Sequence, residues 1–349
     1  MNVIELFAGA GGAALGLHRA GYEHRAMVEL DSAACKTLRA TELGAVIETD
    51  VRNLDLIEAI AFVSEDEAWH RAGDELLDED ADGEEWTLDR EALAEQMLRK
   101  DRVVDLLWSS WPCQDWSIQG SQQGCRGDRN GWPWTVDAID RFRPRWFLGE
   151  NVAGLRRWSD SQPGDVSVCR RTYFDRVILR QLQERFAHVG WFVLNAADFG
   201  LPQHRRRLFV WAGPAPVAAP APTHCDPKHL AQVGLFGSRL SAWTSFDWWD
   251  GPTPTVCANE NKGHTRPDVD RGRAGATSRL SDAWYLSTGG SVVPLAIAAA
   301  AQGFPEAHPW KGKRTEKYRQ VGNAVPPVLA EVVGRAVMQA DTLWREAVK

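Results

Sequence analysis

The residues best placed to do covalent chemistry are Pro112-Cys113-Gln114, which follow an apolar run, Val103-Val104-Asp105-Leu106-Leu107-Trp108. Such a run reads as a strand buried on both faces, and in open α/β sheets ligands collect beyond the carboxyl ends of these strands. Cys113 would stand in that crevice as a thiol nucleophile. A free cysteine also serves as a small, inert apolar filler, and the triplet by itself leaves both readings open. A second strand, Arg145-Trp146-Phe147-Leu148-Gly149, delivers Glu150-Asn151-Val152 to the same edge. Further on, Ala197 to Trp211 reads as a hairpin or strand pair bearing Arg205, Arg206 and Arg207. On a strand, Arg205 and Arg207 share one face and Arg206 points away.

These groups need a scaffold, and the amino-terminal third supplies it. Asn2 to Phe7 is a short apolar strand, Ala8-Gly9-Ala10-Gly11-Gly12 breaks it, and Ala13 to Ala20 reads as a helix. Glycines at a strand-to-helix turn let the backbone pass close to a nucleotide-like ligand, with the helix amino terminus aimed at it. The next strand, Arg25-Ala26-Met27-Val28-Glu29, ends about twenty residues on in a carboxylate, where a ribose hydroxyl pair needs an acceptor. A third, Ala45 to Thr49, ends in Asp50. Three strand ends thus bring Gly9 and Gly11, Glu29 and Asp50 to one crevice.

The 349 residues, with near-average hydrophobic and charged fractions, fit one large domain or two unequal ones. No apolar run approaches a membrane span and no signal peptide precedes the first strand, so the expected location is cytoplasmic. Cys35, Cys113, Cys125, Cys169, Cys225 and Cys257 lack Cys-x-x-Cys spacing, which disfavours a disulfide framework or a zinc ribbon. His224, Cys225 and His229 have no second ligand pair, so no metal is expected. The net charge of −7 is unevenly spread: Glu58 to Asp101 holds sixteen acids against four Arg or Lys, a net of −12 that leaves +5 elsewhere. Arginines at 141, 143, 145, 156 and 157, from 170 to 185 and at 205 to 207 fit a phosphate-binding face beside an acidic outcrop, although single charge runs are commonly just solvated surface.

The acidic stretch, residues 58–101, reads as a surface insertion without chemistry. After Cys113 comes a polar, glycine-rich loop from Ser117 to Gly131, of the kind that moves over a substrate. Helices are expected from Trp134 to Phe142 and from Tyr173 to His188, with a strand at Phe192-Val193-Leu194. Prolines 214, 216, 220 and 222 mark a linker into a loop-rich region of poor periodicity, and helices resume at Ala296 to Ala301 and Val328 to Arg345. The organisation is a catalytic domain over 1–212, a small recognition domain over 213–294, and a segment over 295–349 that returns to the first.

Taken together, Glu5 to Gly12, Pro112-Cys113-Gln114 with Ser117, Glu150-Asn151-Val152, Gln203 to Arg207 and Gly322-Asn323-Ala324-Val325 resemble, in order, the motifs of the cytosine carbon-5 methyltransferases. The resemblance spans nearly the whole chain. It implies a Rossmann-like class I methyltransferase sheet (α/β, helices on both faces) with S-adenosyl-L-methionine as cofactor. It implies Cys113 as the nucleophile on carbon 6 of a flipped-out cytosine, Glu150 as the acid at nitrogen 3, and Arg205 and Arg207 around the cytosine carbonyl and nearby backbone. The implied cofactor pocket is Phe7, Ala8, Gly9, Gly11, Gly12, Glu29, Leu30, Asp50, Val51, Pro112, Asn323 and Val325, with Glu29 on the ribose and Asp50 on the adenine amino group. Double-stranded DNA is the expected partner, read by residues such as Asn259, Asn261, Lys262, Arg266, Arg271 and Arg273. A cognate restriction endonuclease and a monomeric state complete the expectation.

The chain departs from the family in four places. Ser110-Trp111 replaces small residues or proline, the ninth motif (Leu295 to Pro305) lacks its usual acid, the recognition region is short, and the acidic insertion is atypical. Other readings are a transfer-RNA methyltransferase of the same fold and a non-catalytic nucleic-acid-binding module. A nicotinamide-dependent reductase would explain the glycine loop and Glu29 but leaves Cys113, Glu150 and the arginines without a role.

Overall fold

The computed structural model describes residues 1–53, 104–112, 130–157, 172–228, 230, 240–258, 280–290 and 292–348. Cys113, the loop that follows it to residue 129, the acidic insertion, His229 and the six candidate base-reading residues lie outside them.

Seven described strands form one sheet: β1 (Asn2–Leu6), β2 (Glu23–Glu29), β3 (Ala45–Glu48), β4 (Leu106–Ser109), β5 (Trp146–Val152), β6 (His188–Asn195) and β7 (Arg206–Gly213). Their order is β3-β2-β1-β4-β5-β7-β6. Pairings from β3 through to β5 are parallel, and β7 runs antiparallel between β5 and β6. The stretch from Ala197 to Trp211, expected to hold a hairpin or strand pair, contributes only one strand, β7, which pairs with the preceding β6 across a connection that opens with a 3-10 turn at Ala196–Phe199.

Side chains alternate between two apolar layers, as the pleat requires. Leu107, Phe147, Leu208 and Val210 enter one layer with α3 (Trp132–Phe142); Leu106, Trp108, Trp146, Leu148 and Phe209 enter the other with α1 (Gly12–Ala20). Because both faces are covered, the central strands read as continuous hydrophobic runs. The second layer is closed by the carboxyl-terminal helix, whose Val333 and Val337 are fully buried.

Three elements differ from the sequence reading. The helix expected over Tyr173 to His188 is a π-helical stretch, Phe174–Leu179, passing into α4 (Arg180–Gln183), and β6 begins already at His188. A helix, α5 (Leu280–Thr288), forms where periodicity suggested none, with Leu280 in a third apolar cluster and Trp284 packed against it. After α6 (Leu295–Ala301), the Gly322-Asn323 motif is the last turn of a helix, α7 (Arg314–Asn323), where the sequence reading placed no element. Pro326 and Pro327 end α7 and open α8 (Pro327–Ala347), as proline is compatible with a first turn but not an interior. Two short strands, β8 (His224–Cys225) and β9 (Ser241–Ala242), pair in parallel beyond the sheet.

Candidate active site

The strand ends of β1, β2, β4 and β5 border one cavity of about 310 Å³. Of the expected cofactor residues, Phe7, Ala8, Gly9, Glu29, Leu30, Pro112, Asn323 and Val325 line it, together with Glu150, Arg205 and Arg207. Gly11, Gly12, Asp50 and Val51 are not in its lining. Cys113 falls outside the described residues, directly after Pro112 on the cavity wall.

The loop after β1 is built for close approach. Phe7 and Gly9 have φ of 57° and Gly11 of 84°, a region that strains most residues. At Gly9 a Cβ would meet nothing within 4 Å, so the backbone itself faces open space. Glu29, at the end of β2, accepts from Gly9 N at 2.7 Å, Leu30 N at 3.0 Å and Asp31 N at 2.8 Å. Burial raises its pKa, opposed by those three backbone donors. Phe7, Leu30, Trp111, Pro112 and Val325 add apolar wall, and the acids Glu5, Glu29, Asp31 and Glu150 share the lining with Arg205, Arg207 and Arg319. A flat apolar ring and a ribose match the apolar wall and the Glu29 end of that set.

Asp50 and Gly12 are put to other uses. β3 stops at Glu48, and the 3-10 turn Val51–Asn53 folds Arg52 back onto Asp50, with Nε at 3.0 Å and Nη2 at 2.6 Å from one carboxylate oxygen. The guanidinium holds the Asp50 pKa below the usual range. At Gly12 a Cβ would stand 2.2 Å from the Val325 carbonyl oxygen, so this glycine lets the segment after α7 lie on the start of α1.

The two alternate arginines divide their duties. Glu150 on β5 pairs with Phe209 on β7, and Val152 pairs with Arg207, so Glu150 and Arg207 are diagonal neighbours on one face. Arg207 Nε lies 3.0 Å from Glu150 Oε1. Burial raises the Glu150 pKa above the ordinary carboxylate range, with Arg207 and then Arg205 opposing it. Arg206 is exposed, as alternation predicts. Arg205 is 1% exposed and donates to the carbonyls of Val256 at 3.0 Å, Gly322 at 2.9 Å and Ala324 at 2.9 Å. Gln203 works beside it, donating to Ala301 O at 2.8 Å and accepting from Val256 N at 2.9 Å. Through its Nη groups Arg205 ties the backbone at Val256 to the backbone at Gly322 and Ala324 on the cavity wall.

Several contributors were not singled out in the sequence. Asn151 Nδ2 donates to Trp111 O at 3.1 Å and so holds the backbone just ahead of Pro112 and Cys113. Trp111 is 2% exposed and packs 5.1 Å from the Trp132 ring. Asp31 and Arg319, ion-paired at 2.5 Å, join the amino terminus of α2 (Ser32–Arg39) to α7 at the rim. Gln320 and Glu5 also line the cavity. The last turn of α7 brings the Gly322-Asn323 motif, but the ion pair spans 288 residues and no local pattern announces it.

Among the described residues no group of His, Cys, Asp and Glu could hold a metal ion, and no helix is long and apolar enough to cross a membrane.

Comparison with known proteins places this geometry. The description "C-5 cytosine-specific DNA methylase" matches residues 1–62, 83–217 and 295–339. The Type II methyltransferase M.NaeI of Lentzea aerocolonigenes is 29% identical over 97% of this chain and 75% of its own length. M.NgoMIV of Neisseria gonorrhoeae, another Type II methyltransferase, is 28% identical over 97% of both. Among solved structures, the Entamoeba histolytica methyltransferase EhMeth superposes with a TM-score of 0.56 at 11% identity, covering 97% of this chain and 98% of that one. Spodoptera frugiperda DNMT2 gives 0.53 at 14%, covering 97% and 99%. At such identities these two structures support the fold alone.

Proposed function

The chain belongs to the C-5 cytosine-specific DNA methylase family, and from that premise we propose how its residues divide the reaction. The protein is a DNA cytosine-5 methyltransferase with S-adenosylmethionine as methyl donor. When bound, S-adenosylmethionine supplies an electrophilic methyl group on a cationic sulfur, which the activated carbon 5 accepts. The open backbone at Gly9 and the carboxylate of Glu29 fit the methionine and ribose portions, and Phe7, Leu30 and Val325 offer apolar wall to the adenine. Asn323 and Pro112 complete the holding set.

Carbon 5 of cytosine is a weak nucleophile, so the ring must first be activated. In our reading the Cys113 thiolate adds at carbon 6, forming the carbon–sulfur bond while electron density moves toward nitrogen 3. Glu150, whose protonated form burial favours, gives its proton to nitrogen 3 or hydrogen-bonds it. Arg207 fixes the Glu150 carboxyl in the cavity, and Asn151 fixes the strand end that carries the thiol. Once carbon 5 carries the methyl group, its proton leaves to water, the carbon–sulfur bond breaks with its electron pair returning to the Cys113 sulfur, and nitrogen 3 gives its proton back to Glu150, which restores the ring. A cytosine within a duplex cannot present its face to a thiolate, so the target is flipped out of the stack. The observation that carries this reading is the buried Glu150–Arg207 pair in the same cavity as the glycine loop and Pro112.

We assign residues 1–212 to catalysis, 213–294 to recognition of double-stranded DNA, and 295–349 to completing the catalytic fold. The family match breaks off at 217 and resumes at 295, which supports those boundaries. The relatives are Type II methyltransferases, which supports a restriction endonuclease as cognate partner. We further propose a monomer working in the compartment that holds the DNA.

The test is to incubate the purified protein with tritiated S-adenosylmethionine and separate pools of duplex DNA and transfer RNA, then identify the labelled base. Label in 5-methylcytosine from DNA is expected. Label confined to RNA moves recognition to the other nucleic acid, and no label in either refutes the assignment.

A further inference from the structure

The glycine loop is held from two sides. Toward the cavity, Glu29 accepts from Gly9 N. On the other side, the ring of His308 reaches the loop from the segment between α6 and α7: its Nε2 lies 3.2 Å from Ala10 O. A carbonyl oxygen only accepts, so this nitrogen carries the hydrogen and His308 is the donor. The imidazole is 7% exposed and its ring centre is 4.6 Å from that of Phe304 and 4.3 Å from that of Trp310. Burial pushes its pKa down to about 4, so the ring stays uncharged at working pH. His308 is itself fixed by its backbone: His308 N donates to Pro305 O at 3.0 Å, and Trp310 N to His308 O at 2.9 Å.

The loop needs such a strut. Phe7, Gly9 and Gly11 all adopt positive φ, which costs conformational freedom or strain that surrounding bonds must offset. Glu29 is also the carboxylate assigned to the ribose, so its oxygens are shared between loop and ligand. The His308 bond lies outside the cavity lining and is independent of what fills it.

We propose that His308 is a positioning residue for S-adenosylmethionine binding, acting through its hydrogen bond to the Ala10 carbonyl to hold the glycine loop in its ligand-ready form. The proposal rests on the reading of this loop as the cofactor cradle. It assigns His308 no contact with the cofactor and none with DNA.

The test compares wild type with His308→Phe, which keeps an aromatic ring without the donor, and His308→Gln, whose amide nitrogen can donate from a similar reach. S-adenosylmethionine affinity is measured by calorimetry, amide hydrogen exchange over residues 7–12 in the free protein, and steady-state kinetics against both substrates. One buried acceptor left unmatched corresponds to roughly tenfold in affinity. His308→Phe should therefore raise Kd and KM for S-adenosylmethionine about tenfold and speed exchange over residues 7–12. The kcat at saturating cofactor and KM for DNA should stay within about twofold, and His308→Gln should recover most of the lost affinity. Should His308→Phe not yield folded protein, His308→Leu carries the same comparison. Unchanged cofactor affinity in His308→Phe, equal loss in His308→Gln, or kcat and DNA KM moving with cofactor KM each overturn the proposal. Wild-type protein that fails to bind S-adenosylmethionine at all overturns the cradle reading itself, and the proposal with it.

Discussion

Arg205 is the position where the structure makes its sharpest claim against a purely catalytic reading of the arginine motif. Replacing it with methionine keeps much of the volume and removes the guanidinium. Three hydrogen bonds to carbonyls of Val256, Gly322 and Ala324 are lost, at 3.0, 2.9 and 2.9 Å. Each acceptor left unmatched in the interior costs about 1–3 kcal/mol, and losses within one buried charged network total about 3–5 kcal/mol because neighbours relax together. We take about 4 kcal/mol, which at roughly 2 °C per kcal/mol for a chain of this size lowers the melting temperature by about 8 °C. The assay is thermal unfolding of the free protein, with Arg206→Met as control. Arg206 is exposed, so its replacement should shift stability by no more than about 0.5 kcal/mol. Melting of Arg205→Met within about 2 °C of wild type would refute the staple, because a guanidinium that bonds three buried carbonyls cannot vanish without thermal cost.

Other substitutions separate chemistry from support. Cys113→Ser should abolish turnover and leave S-adenosylmethionine binding unchanged; methylation at the wild-type rate would exclude the covalent route. Gly9→Ala puts a methyl group into open space but at φ 57°, where a side chain is strained, so it should weaken cofactor binding at a cost in stability of only about 1 kcal/mol. Gly12→Ala drives a Cβ to within 2.2 Å of a backbone oxygen and should destabilise by about 1–3 kcal/mol, readable in urea titration. The pair is contradicted if both variants lose the same property. Arg207→Gln removes the guanidinium whose charge most opposes burial at Glu150, so the carboxyl should hold its proton to higher pH. If Glu150 acts as the acid, the fall of kcat/KM at alkaline pH should move upward by about one pH unit. A limb that stays in place or moves down speaks against that role.

Most of the scaffold was readable because buried parallel strands cannot hide. Leu106-Leu107-Trp108 and Trp146-Phe147-Leu148 feed apolar layers on both faces, so the sequence shows unbroken hydrophobic runs where a half-exposed strand would alternate. The glycine loop and Glu29 were readable for the same kind of reason, since few residues tolerate the turn and few acids sit at that strand end. Less was legible where tertiary contact overrides local pattern. The π-helical stretch at Phe174–Leu179 has helical periodicity, and α5 is formed from a stretch whose apolar residues are held by a neighbouring cluster. Asp31 with Arg319, and His308 with Ala10, join partners hundreds of residues apart. No spacing rule reaches that far.

The motif residues themselves carry a further lesson about how this site is assembled. Gly12 and Arg205 read as ligand contacts by their place in motifs, yet they, like Gly322, are occupied with the chain's own return. Gly12 admits the Val325 carbonyl, Gly322 admits the backbone of Cys257 and Ala258 to within 2.2 Å of a built Cβ, and Arg205 ties Val256 to Gly322 and Ala324. The cavity wall at Asn323 and Val325 comes from the end of the chain, while Gly9 and Glu29 come from its start. Such a cavity exists only when the two ends meet without intervening side chains, which demands glycine at the crossing points and a long cation to satisfy the carbonyls that the crossing leaves inside. Residues that make no contact with cofactor or base can therefore be as intolerant of change as those that do, and their failure should register in the melting curve before it registers in kcat.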